Sequence, residues 1–288
     1  MAAPLRIGVI GHVEHITLGR VPALPVAGDI VHVAEPRVLA GGGGGIAFFQ
    51  LARSPAELHL FTALGDDDGA RFVERAIAAT GAQVHAARRA APHTRDVVMI
   101  GPDGERTIVV IGEPLHPRAD DPLPWQLLGE LDAVFFTAQD PALLARARAA
   151  RVLVVAARRR ECLAAAGVRA DAIVGSRVDP RERGALADHA VAPAALVMTD
   201  GARGGTVETA AGVARFESPR TDVTGGTYGA GDSFAGALTY YLAAGLDAAA
   251  AAARAAHHGA AVVGSLDPLA AQAPLPALDL PLARGAPP

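Results

Sequence analysis

Ala133-Val134-Phe135-Phe136, Val152-Leu153-Val154-Val155, Ala172-Ile173-Val174 and Leu196-Val197-Met198 are short apolar runs spaced along one stretch of the chain. Helical patterns near 142–149 and 161–167 separate them. Apolar runs of this length suit strands buried on both faces. Strands alternating with helices predict α/β architecture, a three-layer, doubly wound and mostly parallel sheet.

Working outward, Leu5 to Ile10 reads as a first strand ending at Gly11, and Leu58 to Ala63 as another. Asp68 to Thr80 reads as a helix closed by Gly81, and Gly41 to Gly45 open a helical segment over Ile46 to Ala52. Two regions, about 14–38 and 94–111, break the pattern. Ile30 to Val38 alternates apolar and polar residues, while Val97 to Ile100 and Thr107 to Ile111 flank the turn Gly101-Pro102-Asp103-Gly104. Such inserted β elements pair into a lid over the end of a sheet. The expectation is a single α/β domain over 1–288 carrying a small β-sheet lid. The alanine-rich segment Asp247 to Val263 is a further helix, since alanine favours helix most. Beyond Pro274 the chain crosses the surface or frays.

With 288 residues and 51% hydrophobic content, the chain can bury a substantial core. A net charge of −4 offers no basic face for nucleic acid. No apolar run reaches the roughly twenty residues that span a bilayer, and Met1 to Leu5 lacks a leader's charged-then-apolar order. The single cysteine, Cys162, excludes an internal disulfide and a cysteine-based zinc site. A cytoplasmic protein with neither nucleic-acid nor membrane partners is expected. The chain also contains no lysine and no asparagine. Phosphate, if handled at all, must therefore be met by arginine, metal ions and backbone amides.

Gly229-Ala230-Gly231-Asp232-Ser233-Phe234 precedes the apolar run Ala235 to Leu242. The glycines allow a tight turn whose N–H groups converge, and the helix beginning there adds its positive end: an anion hole. Asp232 sits in the first helical turn. It either caps the helix or takes a proton from a hydroxyl attacking phosphorus.

Three more segments accompany this one in order. They are the run Gly41 to Gly45, Leu64-Gly65-Asp66-Asp67-Asp68-Gly69, and Thr199-Asp200-Gly201-Ala202-Arg203-Gly204-Gly205. Together they resemble the PfkB, or ribokinase-like, family of carbohydrate and nucleoside kinases, from about Ile7 to about Gly264. The resemblance implies that Asp232 is the catalytic base and that Gly229, Ala230 and Gly231 form the anion hole for the transferring phosphoryl group. It implies ATP at Thr199, Gly201 and Gly204, and a sugar or nucleoside acceptor at Gly41, Gly42 and Glu14. Asp66 to Asp68 read first as caps of the helix that follows. Glu14, His12 and His15 do not form a metal site, because adjacent strand residues face opposite sides. His257 and His258 read as packing, Arg158 to Arg160 as a solvated run, and Arg106 as either a lid contact or a surface residue.

The chain departs from the family at several places. Ile46 stands where the family has an asparagine, and an apolar side chain cannot make that amide's hydrogen bonds. The family's Asn-x-x-Glu falls near Ser176-Arg177-Val178-Asp179, leaving Asp179 or Glu182 to organise Mg²⁺. Gly226 occupies the position six before the base, usually aspartate, with Asp222 four residues earlier; this weakens the case for K⁺ activation. The leading expectation is an ATP- and Mg²⁺-dependent kinase of a sugar or ribosyl hydroxyl. The alternative is a ligand-binding or regulatory protein on the same scaffold. A dinucleotide-dependent oxidoreductase is a poor fit, because Gly11-His12-Val13-Glu14 lacks the glycine turn after the first strand. Edge strands of the lid can pair between subunits as a homodimer.

Overall fold

A computed structural model describes residues 3–221 and 226–278; Asp222 lies outside the described residues. The chain order begins β1 (Arg6–Ile10), β2 (Glu14–Arg20), β3 (Ala34–Gly41), α1 (Gly42–Leu51), β4 (Glu57–Leu64) and α2 (Asp68–Ala78). It continues β5 (Gln83–Arg88), β6 (Arg95–Ile100), β7 (Arg106–Ile111), β8 (Ala133–Phe136), α3 (Pro141–Ala147), β9 (Val152–Ala156), α4 (Arg160–Ala166) and β10 (Ala172–Ser176). It closes with β11 (Ala195–Thr199), β12 (Gly205–Thr209), β13 (Gly212–Phe216), α5 (Ala230–Ala243), α6 (Ala248–Val262) and α7 (Pro268–Ala271).

The main sheet has nine strands in the order β13-β12-β11-β10-β9-β8-β1-β4-β5. β11 through β5 run parallel, while β12 and β13 add an antiparallel hairpin at one edge. Alternation along the central strands supplies both faces. Val9, Phe135 and Val154 enter one core with Phe48, Leu51, Phe234 and Leu238, whereas Ile10, Phe136 and Val155 enter the other with Leu143, Leu144 and Leu163. The three-layer fold follows directly, because each central strand is apolar on both sides.

A separate four-stranded sheet, ordered β3-β2-β6-β7, forms the lid. Its inner face buries Ile16, Leu18, Leu39, Val98 and Ile100 against Ile46 and Tyr228. The strand expected over Ile30 to Val38 lies later in the chain, as β3, where it pairs with β2. β5, β12 and β13 carry no strong apolar run, and at or near the edges of the sheet they need none.

α1 begins inside the glycine run itself, at Gly42. Close packing overrides glycine's low helix propensity here. A Cβ placed on Gly236 of α5 would stand 2.6 Å from the Ala47 carbonyl oxygen of α1, so the two backbones nearly touch. Small residues repeat the device between α5 and α6, where Ala251, Ala252 and Ala255 are fully buried. Gly236→Val should destabilise the protein by about 1–3 kcal/mol, because the neighbour it meets is backbone and cannot swing aside. Urea unfolding tests this; an unchanged midpoint would show that the helices separate freely.

Candidate active site

The N-terminus of α5, the start of α1 and the C-terminal ends of β1, β8, β9, β10 and β11 converge below the lid. Open α/β sheets bind ligands at this edge. Gly229 adopts φ +82°, a left-handed turn that feeds directly into α5. Ala230 N–H donates to the Thr227 carbonyl at 3.3 Å, and the first helical bond runs from Ser233 N–H to the Gly229 carbonyl at 2.9 Å. The N–H groups of Gly231 and Asp232 therefore have no acceptor within the helix. The space beside Gly231 is open, so an anion can approach them.

Asp232 lies in the first turn of α5 and is not the cap, since Gly229 holds that position without a side-chain bond. Burial pushes its carboxyl up to about 6; Glu182 adds to the rise, while Arg106 and Arg158 oppose it. Arg106 reaches from β7 to donate to the Thr227 hydroxyl at 3.3 Å, which brings a lid charge to the start of α5.

The glycine run meets Asp232 from the other side. A Cβ on Gly43 would lie 3.3 Å from Asp232 Oδ1 and 3.7 Å from Thr137 Oγ1. Gly44 packs on the backbone of the loop after β1, where a Cβ would stand 2.6 Å from the His12 carbonyl oxygen. Glu14 Oε2 would be 2.7 Å from a Cβ on Gly42, so Glu14 and the glycines expected to contact acceptor share one wall. Gly42 N–H donates to Tyr228 Oη at 3.4 Å, and Gly43 N–H to His12 Nε2 at 3.3 Å.

Ile46, in place of the expected amide, is fully buried in the lid core one helical turn after Gly42, where a Cβ on Gly229 would stand 3.2 Å from its Cδ1. His15 points to the opposite side of β2 from Glu14 and packs edge-on against Phe72 at 5.1 Å. Asp67 caps α2 by accepting from Ala70 N–H at 3.0 Å and also binds Arg95. His258 is buried, bonded to Tyr241 Oη at 3.0 Å.

Toward the other end of the sheet, the Thr199 hydroxyl donates to the Gly175 carbonyl at 3.2 Å. The loop after it folds back through Asp200 N–H to the Gly204 carbonyl at 2.7 Å, with Gly201 and Gly204 both at positive φ. Asp179 and Glu182 follow β10, and both are held by Arg158; Glu182 also accepts from Ser176 N–H at 2.8 Å. As arranged, neither offers a free carboxylate to Mg²⁺, and among the described residues no group of three acidic, histidine or cysteine side chains is placed to hold a metal. Within Arg158 to Arg160, read as a solvated run, Arg158 and Arg160 are exposed, but Arg158 pairs with Asp179 and Glu182 and the partly buried Arg159 donates to the Thr137 carbonyl at 2.8 Å.

Asp96 was not visible as a site residue from the sequence. The parallel pairing of β2 with β6 places it beside Ile16, and it hydrogen-bonds Glu14 while its Oδ1 is buried without a partner. Two carboxyl groups so bonded share a proton, and burial together with Asp96 pushes Glu14 up to about 9. The one signal was a charged residue heading the apolar run Asp96 to Ile100.

The model of the pfkB family carbohydrate kinases matches residues 169–274, the segment holding the Thr199 loop and Asp232. A search of curated protein sequences returns no match. Among solved structures, ribokinase from Thermotoga maritima aligns with TM-score 0.75 at 17% identity, covering 94% of this chain and 96% of that one. Arabidopsis thaliana ribokinase, complexed with ribose and ATP, aligns with TM-score 0.73 at 17% identity over 94% and 96%. A Burkholderia thailandensis nucleoside kinase in complex with inosine aligns with TM-score 0.70 at 17% identity over 93% and 94%. The fold is ribokinase-like.

The shared proton has a consequence for stability. Glu14's folded value lies far above its unfolded value, so from about pH 4.5 upward the folded state holds a proton the unfolded chain has released, and stability falls toward pH 9. Asp96→Asn removes the like charge and should raise the melting temperature by about 2 °C or more near pH 8.5 but little near pH 5. Equal shifts at both pH values would show that the two carboxyls are not coupled.

Proposed function

We propose that this chain is an ATP-dependent kinase that phosphorylates a hydroxyl of a sugar or ribosyl compound, acting in the cytoplasm. One observation carries the reading: a carboxylate poised near neutrality stands between unpaired helix N-terminal amides and the glycine wall that faces it from α1. The acceptor lies along Gly41, Gly42 and Glu14. The nucleotide lies along Thr199, Gly201 and Gly204, with its terminal phosphate at the turn Gly229 to Gly231.

In the proposed step the acceptor oxygen gives its proton to Asp232 as it attacks the γ-phosphorus. The new O–P bond forms in line as the bond to the β,γ-bridging oxygen breaks, and that electron pair leaves on ADP. The amides of Gly231 and Asp232 meet the charge that accumulates on the transferring group, in a site the lid keeps dry. Mg²⁺ is proposed to travel with the nucleotide's phosphates, since Asp179 and Glu182 are already engaged by Arg158.

The deprotonated carboxylate is the reactive form, so kcat/KM should rise with pH through about 6 and then level. Asp232→Asn should lower kcat by about 10²-fold or more and abolish that limb while ATP still binds. Acceptor-dependent ADP release across pH reads both; full activity in the variant would remove Asp232 as base and favour the ligand-binding alternative.

The lid's outer edge supports a dimer. β7 is an edge strand, and Ile108, Val109, Val110 and Ile111 are each at least 40% exposed. Such an edge invites pairing with a second copy. Sedimentation equilibrium should find a dimer that Val109→Lys converts to monomer; a wild-type monomer would refute the pairing.

A further inference from the structure

Arg158 and Arg159 are neighbours that point opposite ways. Arg158 reaches toward the residues after β10 and is neutralised by Asp179 and Glu182. Arg159 reaches toward β8, where its Nε donates to the Thr137 carbonyl at 2.8 Å. Among the described residues it forms no ion pair with any carboxylate, although it is half-buried and desolvated. A guanidinium removed from water normally has an anion beside it.

Two histidines stand nearby in the same condition. His12, after β1, and His116, after β7, meet edge-on with ring centroids 4.9 Å apart. His12 Nδ1 and both ring nitrogens of His116 are buried with no hydrogen-bond partner. Arg159 lowers the basicity of both rings, as does their burial, which is the leading cause for each. His12 is also the acceptor for Gly43 N–H, so the group borders the glycine wall and not the Thr199 loop.

We propose that Arg159, His12 and His116 form an anion subsite of the acceptor pocket, so that the hydroxyl compound phosphorylated here carries a carboxylate or phosphate group. This rests on the kinase reading above and names its substrate class. Arginine supplies the permanent charge and a planar fork for two anionic oxygens, and the imidazole nitrogens supply further donors. The chemistry of either anion fits. Direction along the sheet assigns the group to the acceptor: Arg159 crosses toward β8 and β1, away from β11 and the nucleotide loop.

The test compares matched acceptors, fructose with fructose 6-phosphate and glucose with gluconate, in wild type, Arg159→Gln and Arg159→Lys. ADP release gives kcat/KM, calorimetry gives binding of each acceptor without nucleotide, and thermal melting checks folding. An anionic acceptor should be favoured over its neutral partner by about tenfold or more in wild type. That ratio should collapse toward one in Arg159→Gln and be largely restored in Arg159→Lys. A preference for neutral acceptors, or a ratio untouched in Arg159→Gln, overturns the subsite while leaving the kinase intact. If Arg159→Gln weakens ATP binding and leaves the acceptor ratio alone, the anion is the nucleotide's and the proposal fails. If no acceptor releases ADP, the kinase reading fails, and calorimetry still decides whether anionic sugars bind through Arg159.

Discussion

The near-contact of two helix backbones, α1 at Ala47 and α5 at Gly236, is the constraint on which the site depends. Each helix begins at the same edge of the sheet, one at the glycine run and the other at the left-handed turn of Gly229. Drawing them together places Gly43 against Asp232 and leaves no side chain between the wall and the base. Bulk at Gly236 would part the helices, and with them the two halves of the site.

Charge is arranged around that contact in an uneven way. Near β10 the acids are engaged, Asp179 and Glu182 sharing Arg158 and Asp179 also pairing with Arg181, while Glu182 still acts on Asp232. Near β8 and β1 the situation differs: among the described residues Arg159 bonds a backbone carbonyl and no carboxylate, with His12 and His116 beside it. Under the lid, Glu14 and Asp96 hold one proton between them. Asp232 sits among these regions, and its basicity is set by burial against the opposing pulls of Arg106, Glu182 and Arg158. A chain without lysine has met its electrostatic needs entirely with arginine, histidine and backbone amides.

The parallel core was legible because apolar runs such as Ala133 to Phe136 bury both faces, and such runs have few alternatives. The position of Asp232 was legible because a glycine turn before a helix is a local feature. Edge strands β5, β12 and β13 were not, since half-exposed strands need no apolar run. Asp96, His116 and Arg159 were hidden for a different reason. Their meaning comes from register and from long-range approach: β2 beside β6, the loop after β7 beside the loop after β1. Local sequence records neither. The place of Ile46 in the lid core was hidden for the same reason, because Ile16, Leu39 and Tyr228 reach it from distant parts of the chain.

The central claim is that the terminal phosphoryl group of ATP passes to an organic hydroxyl. Following γ-labelled ATP in the presence of neutral and anionic sugars tests it most directly. The account predicts label in a phosphate ester of an acceptor, with stoichiometric ADP. Label appearing only as inorganic phosphate, or remaining on ATP with every acceptor, would contradict it.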